Sequence, residues 1–144
     1  MSLERLRDQQ TPFGARAARH LREDVVVWMT TVSPGGAPAP NPVWFLWDGD
    51  SSALMYSRAD AARLSNLVAN PRVTLNFDGD GAGGDIVVLS GRAIVADDAE
   101  PADANPGFLA KYDTNIAGLG MTPAQFAGEY SVPVRILLTH LRGY

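Results

Sequence analysis

The pattern of apolar and polar positions divides the chain into short strands and a few helices. Alanine and leucine positions within residues 14–22 recur on one helix face, with arginines on the other, which predicts a short amphipathic helix. Residues 25–32 are rich in β-branched side chains and end at the turn sequence SPGG of residues 33–36. The chain is therefore expected to begin with a helix and to continue as a meander of strands.

The next predicted strand, residues 37–47, contains an unusual run of prolines. Pro38, Pro40 and Pro42 alternate along its first half, and each lacks the backbone N–H that a sheet uses. That half of the strand is therefore expected at an edge of the sheet or in a bulge. After a turn, a short strand is predicted over residues 53–57.

A helix and two strands are predicted in the middle of the chain. Residues 60–69 have apolar positions at helical spacing, and Pro71 marks where this helix stops. Strands are predicted over residues 72–78 and 85–96, with a glycine-rich loop between them and Gly91 as a bend in the second. The middle of the chain thus adds the fourth and fifth strands.

The last third of the chain has a helical pattern before it returns to a strand. Residues 97–129 favour helix, and Thr122 and Pro123 are a typical N-cap and first helical residue. Residues 131–142 form the last of six predicted strands. Six strands with helical insertions predict a closed or half-closed barrel, folded as one domain over residues 1–144.

Composition and charge narrow the function. The chain has no cysteine, which excludes disulfides, thiolate metal sites and thiol nucleophiles, so redox chemistry would need a bound cofactor. The net charge of −4 argues against a nucleic-acid partner. No apolar stretch is long enough to span a membrane, and residues 1–10 lack a signal-peptide core, so we expect a cytoplasmic protein.

The histidines do not indicate a metal or catalytic site. His20 and His140 fall in the first helix and the last strand, and neither is expected to have an acidic neighbour at metal-ligand spacing. No nucleophile and base stand out as a pair. Structural or surface roles are therefore expected for both histidines, no metal site is predicted, and the catalytic residues stay undefined.

The clearest chemical signal lies where the strand of residues 53–57 passes into the following helix. Ser57 can donate a hydrogen bond, and Arg58 and Arg63 can supply charge-assisted and bidentate ones. The helix N-terminus adds free amides and a positive dipole end. This pattern predicts a phosphate clamp, with a solvated helix face as the alternative.

The same segment resembles the cofactor segment of the pyridoxamine 5′-phosphate oxidase-like split-barrel family. The resemblance rests on Ser57, Arg58, Arg63, Leu64, Leu67, Asn70 and Pro71. The family's strand that lies along the flavin ring is matched by Asn41, Pro42, Val43 and Trp44. The resemblance implies a mainly β fold, a six-stranded split β-barrel with a few flanking helices, and a cofactor phosphate held by the serine and the two arginines.

Details of the resemblance favour the branch of the family that uses the deazaflavin coenzyme F420. Arg63 stands where many flavin-binding members have lysine, and the pyridoxal-specific C-terminal segment has no counterpart, so pyridoxamine phosphate oxidation is not expected. Residues 108–130 look more like the F420 branch. The resemblance implies an F420-dependent oxidoreductase that transfers a hydride between the deazaflavin and a small conjugated organic substrate.

The resemblance also implies a homodimer with the cofactor at its interface. Lys111 and Tyr112 are the candidates for side chains that reach across this interface. A proton for the product would come from solvent, from Tyr56 or from Tyr112. Three alternatives stay open: an FMN-binding oxidase or reductase, a non-catalytic carrier of a cofactor or of haem, and a binding module without a redox cofactor.

Overall fold

A computed structural model describes residues 3–144, apart from the side chain of Arg5, and they form a curled antiparallel sheet with helices packed around it. The strands are β1 (Val26–Val32), β2 (Pro38–Trp44), β3 (Leu46–Trp47), β4 (Ser52–Ser57), β5 (Arg72–Asn76), β6 (Val87–Val95) and β7 (Val132–Gly143). The helices are α1 (Glu4–Arg7), α2 (Pro12–Glu23), α3 (Ala62–Ala69), α4 (Pro106–Gly118) and α5 (Pro123–Glu129), with a 3₁₀ turn at Ala102–Ala104. All predicted helical regions are confirmed, whereas α1 was not predicted.

The order of the strands shows how the sheet closes. It runs β2-β1-β5-β6-β7-β4-β3, so the two edge strands are β2 and β3, which only Phe45 separates in the chain. A flat sheet of this size is about 29 Å wide, whereas two residues of chain span about 7 Å. The sheet must therefore curl until its edges meet, which confirms the split barrel. The sheet has seven strands where six were predicted. The single strand predicted over residues 37–47 is wrong, because Phe45 bonds to side chains of α4 and divides it into β2 and β3.

The prolines of β2 lie where they cost the sheet no hydrogen bond. β2 is an edge strand that pairs with β1, which confirms the prediction. The Ser33 N–H donates to the Ala37 carbonyl (2.9 Å), and bonded pairs alternate along an antiparallel ladder, so odd-numbered residues face β1. Pro38, Pro40 and Pro42 therefore direct their backbone to the open edge. There the missing N–H groups hinder pairing with a further strand.

The apolar side chains form two clusters. The interior of the barrel holds the larger one, which includes the fully buried Phe45, Leu75, Leu89, Ile136 and Leu141. The second lies where α4 and α5 cover β4, and it contains Tyr56, Ala102, Phe108, Tyr112, Ile116, Phe126 and Ala127. Within residues 3–144, no helix has both the length and the apolar character that crossing a membrane requires.

Gly91 is the bend that was predicted in the long strand β6. The register between β6 and β7 shifts between Ser90 and Gly91, which marks an irregularity of the bulge type. A Cβ atom at Gly91 would lie 2.8 Å from the carbonyl oxygen of Leu137. The close approach of β7 therefore requires glycine at this position.

His20 links helix α2 to the loop that precedes β6. Its Nδ1 lies 2.6 Å from Asp24 Oδ2, and its Nε2 lies 3.0 Å from both carboxylate oxygens of Asp85. A neutral imidazole has one N–H, so both contacts can be hydrogen bonds donated by the ring only in its imidazolium form. The expectation that His20 has no acidic neighbour at ligand spacing is wrong, since Asp24 lies one helical turn away. Among residues 3–144, no group of three or more histidine, aspartate or glutamate side chains is arranged to hold a metal ion.

Asp85→Asn is expected to destabilise the fold in a pH-dependent way. Burial acts to raise the pKa of Asp85, but hydrogen bonds from His20 and Arg16 outweigh it, and the pKa is lowered. A carboxylate with a lowered folded-state pKa contributes stability above its ordinary pKa of about 4. That contribution is lost as the pH falls through the folded-state pKa. Asparagine tolerates the φ of 54° found here, so the variant removes mainly the charge.

Urea unfolding measures the size of this effect. We expect Asp85→Asn to lower the free energy of unfolding by about 1 kcal/mol at pH 7, after discounting for partial exposure, and to lose that difference below about pH 4. Asp97→Asn is the control, because within residues 3–144 this exposed carboxylate forms no ion pair. Equal stability of Asp85→Asn and the wild type at pH 7 would contradict the prediction.

Candidate functional site

A pocket of about 240 Å³ opens where β2, β4, α3 and α5 approach one another. It is lined by Pro42, Val43, Trp44, Tyr56, Arg58, Arg63, Phe108, Leu119, Phe126 and Tyr130. Most of this lining is apolar or aromatic, and both guanidinium groups of the predicted phosphate clamp belong to it. A concave apolar site with a few polar groups is the usual form of a small-molecule site.

Stacked aromatic rings hold one wall of the pocket in place. The Trp44 ring lies nearly parallel to Tyr112, with centroids 4.8 Å apart, and to Phe126 at 5.5 Å. Phe126 in turn stacks on Tyr130 at 4.5 Å. Such offset stacks fix the orientation of each ring. The pocket therefore has a rigid, flat aromatic wall that joins β2 to α5.

Arg63 is a cation of the pocket lining that has no partner among the described residues. It lies in the first turn of α3, is half-buried and lines the pocket. Burial lowers its pKa, against an interaction with Tyr130 that raises it. Among the residues that the structure describes, the Arg63 side chain forms no ion pair or hydrogen bond. A partly desolvated guanidinium of this kind favours an anionic ligand.

Arg58 also lines the pocket, but its charge is shared. Its Nε lies 3.4 Å from Asp60 Oδ1, and its Nη1 lies 3.6 Å from Glu129 Oε2 at the end of α5. These interactions, with Asp60 the strongest, raise the pKa of Arg58. The side chain is 50% exposed, so both ion pairs are screened by water. Arg58 thus connects β4 to α5 across the pocket mouth.

Four of the predicted cofactor residues lie outside the pocket lining: Asn41, Ser57, Lys111 and Tyr112. Ser57 is fully buried, and its hydroxyl donates to the carbonyl of Arg58 at 3.0 Å. Asn41 lies opposite Met29 in the ladder of β2 and β1 and is partly exposed. The structure therefore brings together Pro42, Val43, Trp44, Arg58 and Arg63, but not the other four.

Tyr112 and Lys111 bind Phe45 at the seam of the barrel, the point between β2 and β3 where the two edges of the sheet meet. The Tyr112 hydroxyl accepts from the Phe45 N–H at 2.8 Å, and its proton faces the carbonyls of Val25 (2.7 Å) and Phe45 (2.9 Å). Lys111 Nζ donates to the Phe45 carbonyl at 2.8 Å. Burial lowers the pKa of Lys111 to about 8, against Asp24, which raises it, and burial raises that of Tyr112. The polar atoms of both side chains are thus bound within their own chain.

Tyr56 has a ring in the pocket wall and a hydroxyl bound to the protein. The hydroxyl donates to the Glu100 carbonyl at 2.8 Å and accepts from Asn105 Nδ2 at 3.1 Å. Burial is the main cause that raises its pKa. Together with Tyr112, this means that both tyrosines considered as proton donors have hydroxyl groups engaged elsewhere.

Four lining residues were not predicted from the sequence: Phe108, Leu119, Phe126 and Tyr130. For α4 a signal was present, because Phe108, Tyr112 and Ile116 are spaced four residues apart and form the buried face of the helix. Phe126 and Tyr130 have the same spacing across α5. This periodicity identifies the buried faces, but it does not reveal which part of the sheet they cover.

The sequence matches a known family. Residues 13–126 match the family described as pyridoxamine 5′-phosphate oxidase. No curated protein matches the sequence.

Solved structures with the same fold include proteins of different kinds. An F420 reductase is 25% identical, with a TM-score of 0.60 over 85% of this chain and 92% of that chain. A conserved hypothetical protein from Mycobacterium tuberculosis is 21% identical, with a TM-score of 0.66 over 89% of this chain and 81% of that chain. HutZ, the heme storage protein from Vibrio cholerae, is 13% identical, with a TM-score of 0.59 over 90% of this chain and 91% of that chain. The last two likenesses show the fold alone.

Proposed function

Because the chain belongs to the pyridoxamine 5′-phosphate oxidase family, whose members bind flavin-type cofactors, we propose that it is an F420-dependent oxidoreductase. The reaction is the transfer of a hydride between the deazaflavin and a small conjugated organic substrate. The observation that carries the proposal is Arg63, a half-buried cation in an aromatic-walled pocket to which the described part of the chain offers no partner. The likeness to an F420 reductase supports the choice of cofactor.

The residues of the pocket fit such a cofactor. Trp44 and Tyr130, which are partly exposed, offer flat apolar surfaces for a ring system, and Arg63 and Arg58 would hold its phosphate. The helix α3 begins without a side-chain cap, so its first amides add to the anion site. When bound, the reduced deazaflavin supplies the hydride. The protein then has to orient the ring and to exclude water from it.

The size of the pocket supports a site that a second subunit completes. Its volume of about 240 Å³ is smaller than the 300–1,000 Å³ or so that is usual for a small-molecule site. One subunit would therefore enclose only part of the cofactor, which agrees with the homodimer expected from the sequence. Solvent is the proton source in this proposal, since Tyr56 and Tyr112 have engaged hydroxyl groups.

FMN is the second candidate for this site, because its phosphate could use the same arginines. Haem is disfavoured by the position of the histidines. Among residues 3–144, no histidine lines the pocket, His20 is bound by two carboxylates, and His140 is exposed on the last strand. A carrier without catalytic activity would bind the cofactor but would not catalyse hydride transfer between the cofactor and a substrate.

Titration of the purified protein with F420 and, separately, with FMN tests the proposal. Binding is followed by quenching of tryptophan fluorescence, and we expect a micromolar or lower Kd for F420 and weaker binding of FMN. In Trp44→Phe most of the quenching should disappear although Trp28 and Trp47 remain, which localises the ligand. Reduced F420 should then be oxidised by enone or quinone acceptors. Binding of FMN alone, or of neither ligand, would contradict the proposal.

A further inference from the structure

The charges at the pocket mouth form two opposite pairs. Two cations, Arg58 and Arg63, line it, and two carboxylates, Asp60 and Glu129, form ion pairs with Arg58. The other side chains of the lining with an ionisable group are Tyr56 and Tyr130, and neither adds to the formal charge. The formal charge of the mouth is therefore close to zero, although a site for a strongly charged phosphate would be expected to have excess positive charge.

Only one of the two cations is available to a ligand without disturbing the protein. Arg58 is held between Asp60 and Glu129, whereas within residues 3–144 Arg63 has no carboxylate partner. Asp60 is the stronger partner of Arg58, but Glu129 is the less exposed carboxylate, because its side chain is 52% exposed and that of Asp60 is 79% exposed. Glu129 also belongs to α5, which forms the opposite wall, so its charge lies across the mouth from β4.

The two candidate cofactors differ in the charge of their phosphate. FMN has a phosphomonoester, which carries a charge of about −1.5 to −2 at pH 7 because its second pKa is about 6. F420 has a phosphodiester, which carries a single negative charge at every pH above the acid range. Arg63 alone can neutralise the diester. The monoester needs a second cation as well, and recruiting Arg58 would leave Glu129 unpaired beside the ligand's additional negative charge.

On the basis of the proposed function, we propose that Glu129 is a specificity-determining residue that makes the phosphate end of this pocket select a singly charged phosphodiester over a doubly charged phosphomonoester. The carboxylate acts in two ways. It occupies Arg58, and it repels a second negative charge at the mouth of the pocket. Neither effect depends on the ring system of the ligand.

The test compares Glu129→Gln with the wild type by calorimetric titration at pH 7.5, using F420, FMN and riboflavin. We expect the ratio of FMN affinity to F420 affinity to be about fivefold higher in Glu129→Gln than in the wild type. The reason is that the extra negative charge of the monoester no longer lies beside a carboxylate. Riboflavin, which has no phosphate, should bind both proteins equally. Glu23→Gln is the matched control, because this exposed glutamate ends α2, outside the pocket lining.

A pH series gives a second readout. Between pH 7.5 and pH 5 the monoester loses its second charge, so wild-type affinity for FMN should rise. This rise should be smaller in Glu129→Gln, and F420 affinity should change little in either protein. The charged groups at the mouth are Arg58 and Arg63 of the lining and the carboxylates Asp60 and Glu129 that pair with Arg58, and the phenol of Tyr130 also belongs to the lining.

The outcomes separate this inference from the proposed function. If F420 binds but Glu129→Gln changes both cofactors equally or neither of them, the inference is wrong and the proposed function stands. If no ring ligand binds the wild type, the proposed function fails. In that case phenyl phosphate and methyl phenyl phosphate, a monoester and a diester, are compared through the Arg63 Nε resonance. A preference for the diester that Glu129→Gln removes would support the inference, and equal binding would overturn it.

Discussion

Replacing Arg63 with glutamine is expected to weaken the binding of F420 about thirtyfold. The guanidinium is the pocket's half-buried cation, and the part of the chain that the structure describes provides it with no ion-pair partner. A charge-assisted, bidentate contact with phosphate in such a position contributes about 2 kcal/mol, which corresponds to roughly thirtyfold in Kd. Fluorescence titration of wild type and variant with F420 measures the change.

Three controls distinguish lost recognition of phosphate from a damaged fold. The deazaflavin ring and its ribityl chain without the phosphate should bind Arg63→Gln and the wild type equally. Arg19→Gln removes an exposed arginine of α2 and should not change affinity. Arg63→Lys should recover only part of the affinity, because an ammonium group has the charge but not the planar fork of donors. A thirtyfold loss that also appears with the phosphate-free ligand would contradict the role assigned to Arg63.

Removing this cation should not destabilise the folded protein. Burial lowers the pKa of Arg63, which means that the folded environment disfavours the charged form. We therefore expect the melting temperature of Arg63→Gln without ligand to equal or slightly exceed that of the wild type. A residue retained despite an electrostatic cost is more readily explained by binding than by stability.

Local signals in the sequence were sufficient to predict most of the fold and the residues on one side of the pocket. The β-branched run of β1 and the Thr122 cap of α5 each depend on residues close together in the chain, and both are confirmed. Arg58 and Arg63 were predicted to form one phosphate clamp, because Arg58 lies at a strand end and Arg63 lies five residues later, at the start of the next helix. The structure confirms that both line one pocket.

The rest of the site depends on contacts between distant segments, which periodicity does not specify. The contact of Arg58 with Glu129 joins the end of β4 to the end of α5, and the stack of Trp44 on Phe126 joins β2 to the same helix. The break of the long strand at Phe45 has the same origin, because Tyr112 lies far along the chain from the residue that it binds. The role of Lys111 and Tyr112 at a dimer interface stays a prediction, and within this chain their polar atoms bind the backbone of Phe45 and Val25.

Tyr112→Phe is expected to cause the largest loss of stability among the variants considered. The hydroxyl accepts from the Phe45 N–H and faces the Val25 carbonyl, at the point where the two edges of the sheet meet. Phenylalanine preserves the ring and its stacking on Trp44 but leaves the buried Phe45 N–H without that partner. An unsatisfied buried donor costs about 1–3 kcal/mol, so we expect a loss of about 2 kcal/mol in the free energy of unfolding.

Thermal and urea unfolding measure this loss, and for a chain of this length it corresponds to a melting temperature lower by about 7 °C. Tyr144→Phe is the control, since this tyrosine is 74% exposed and should be neutral. Lys111 still donates to the Phe45 carbonyl in the variant, so the effect reports mainly on the N–H. If Tyr112→Phe were as stable as Tyr144→Phe, the Phe45 N–H would have to find another acceptor. In that case the stacking of the Trp44 ring on Tyr112 and Phe126, and not the hydrogen bond at Phe45, would fix Trp44 in the pocket wall.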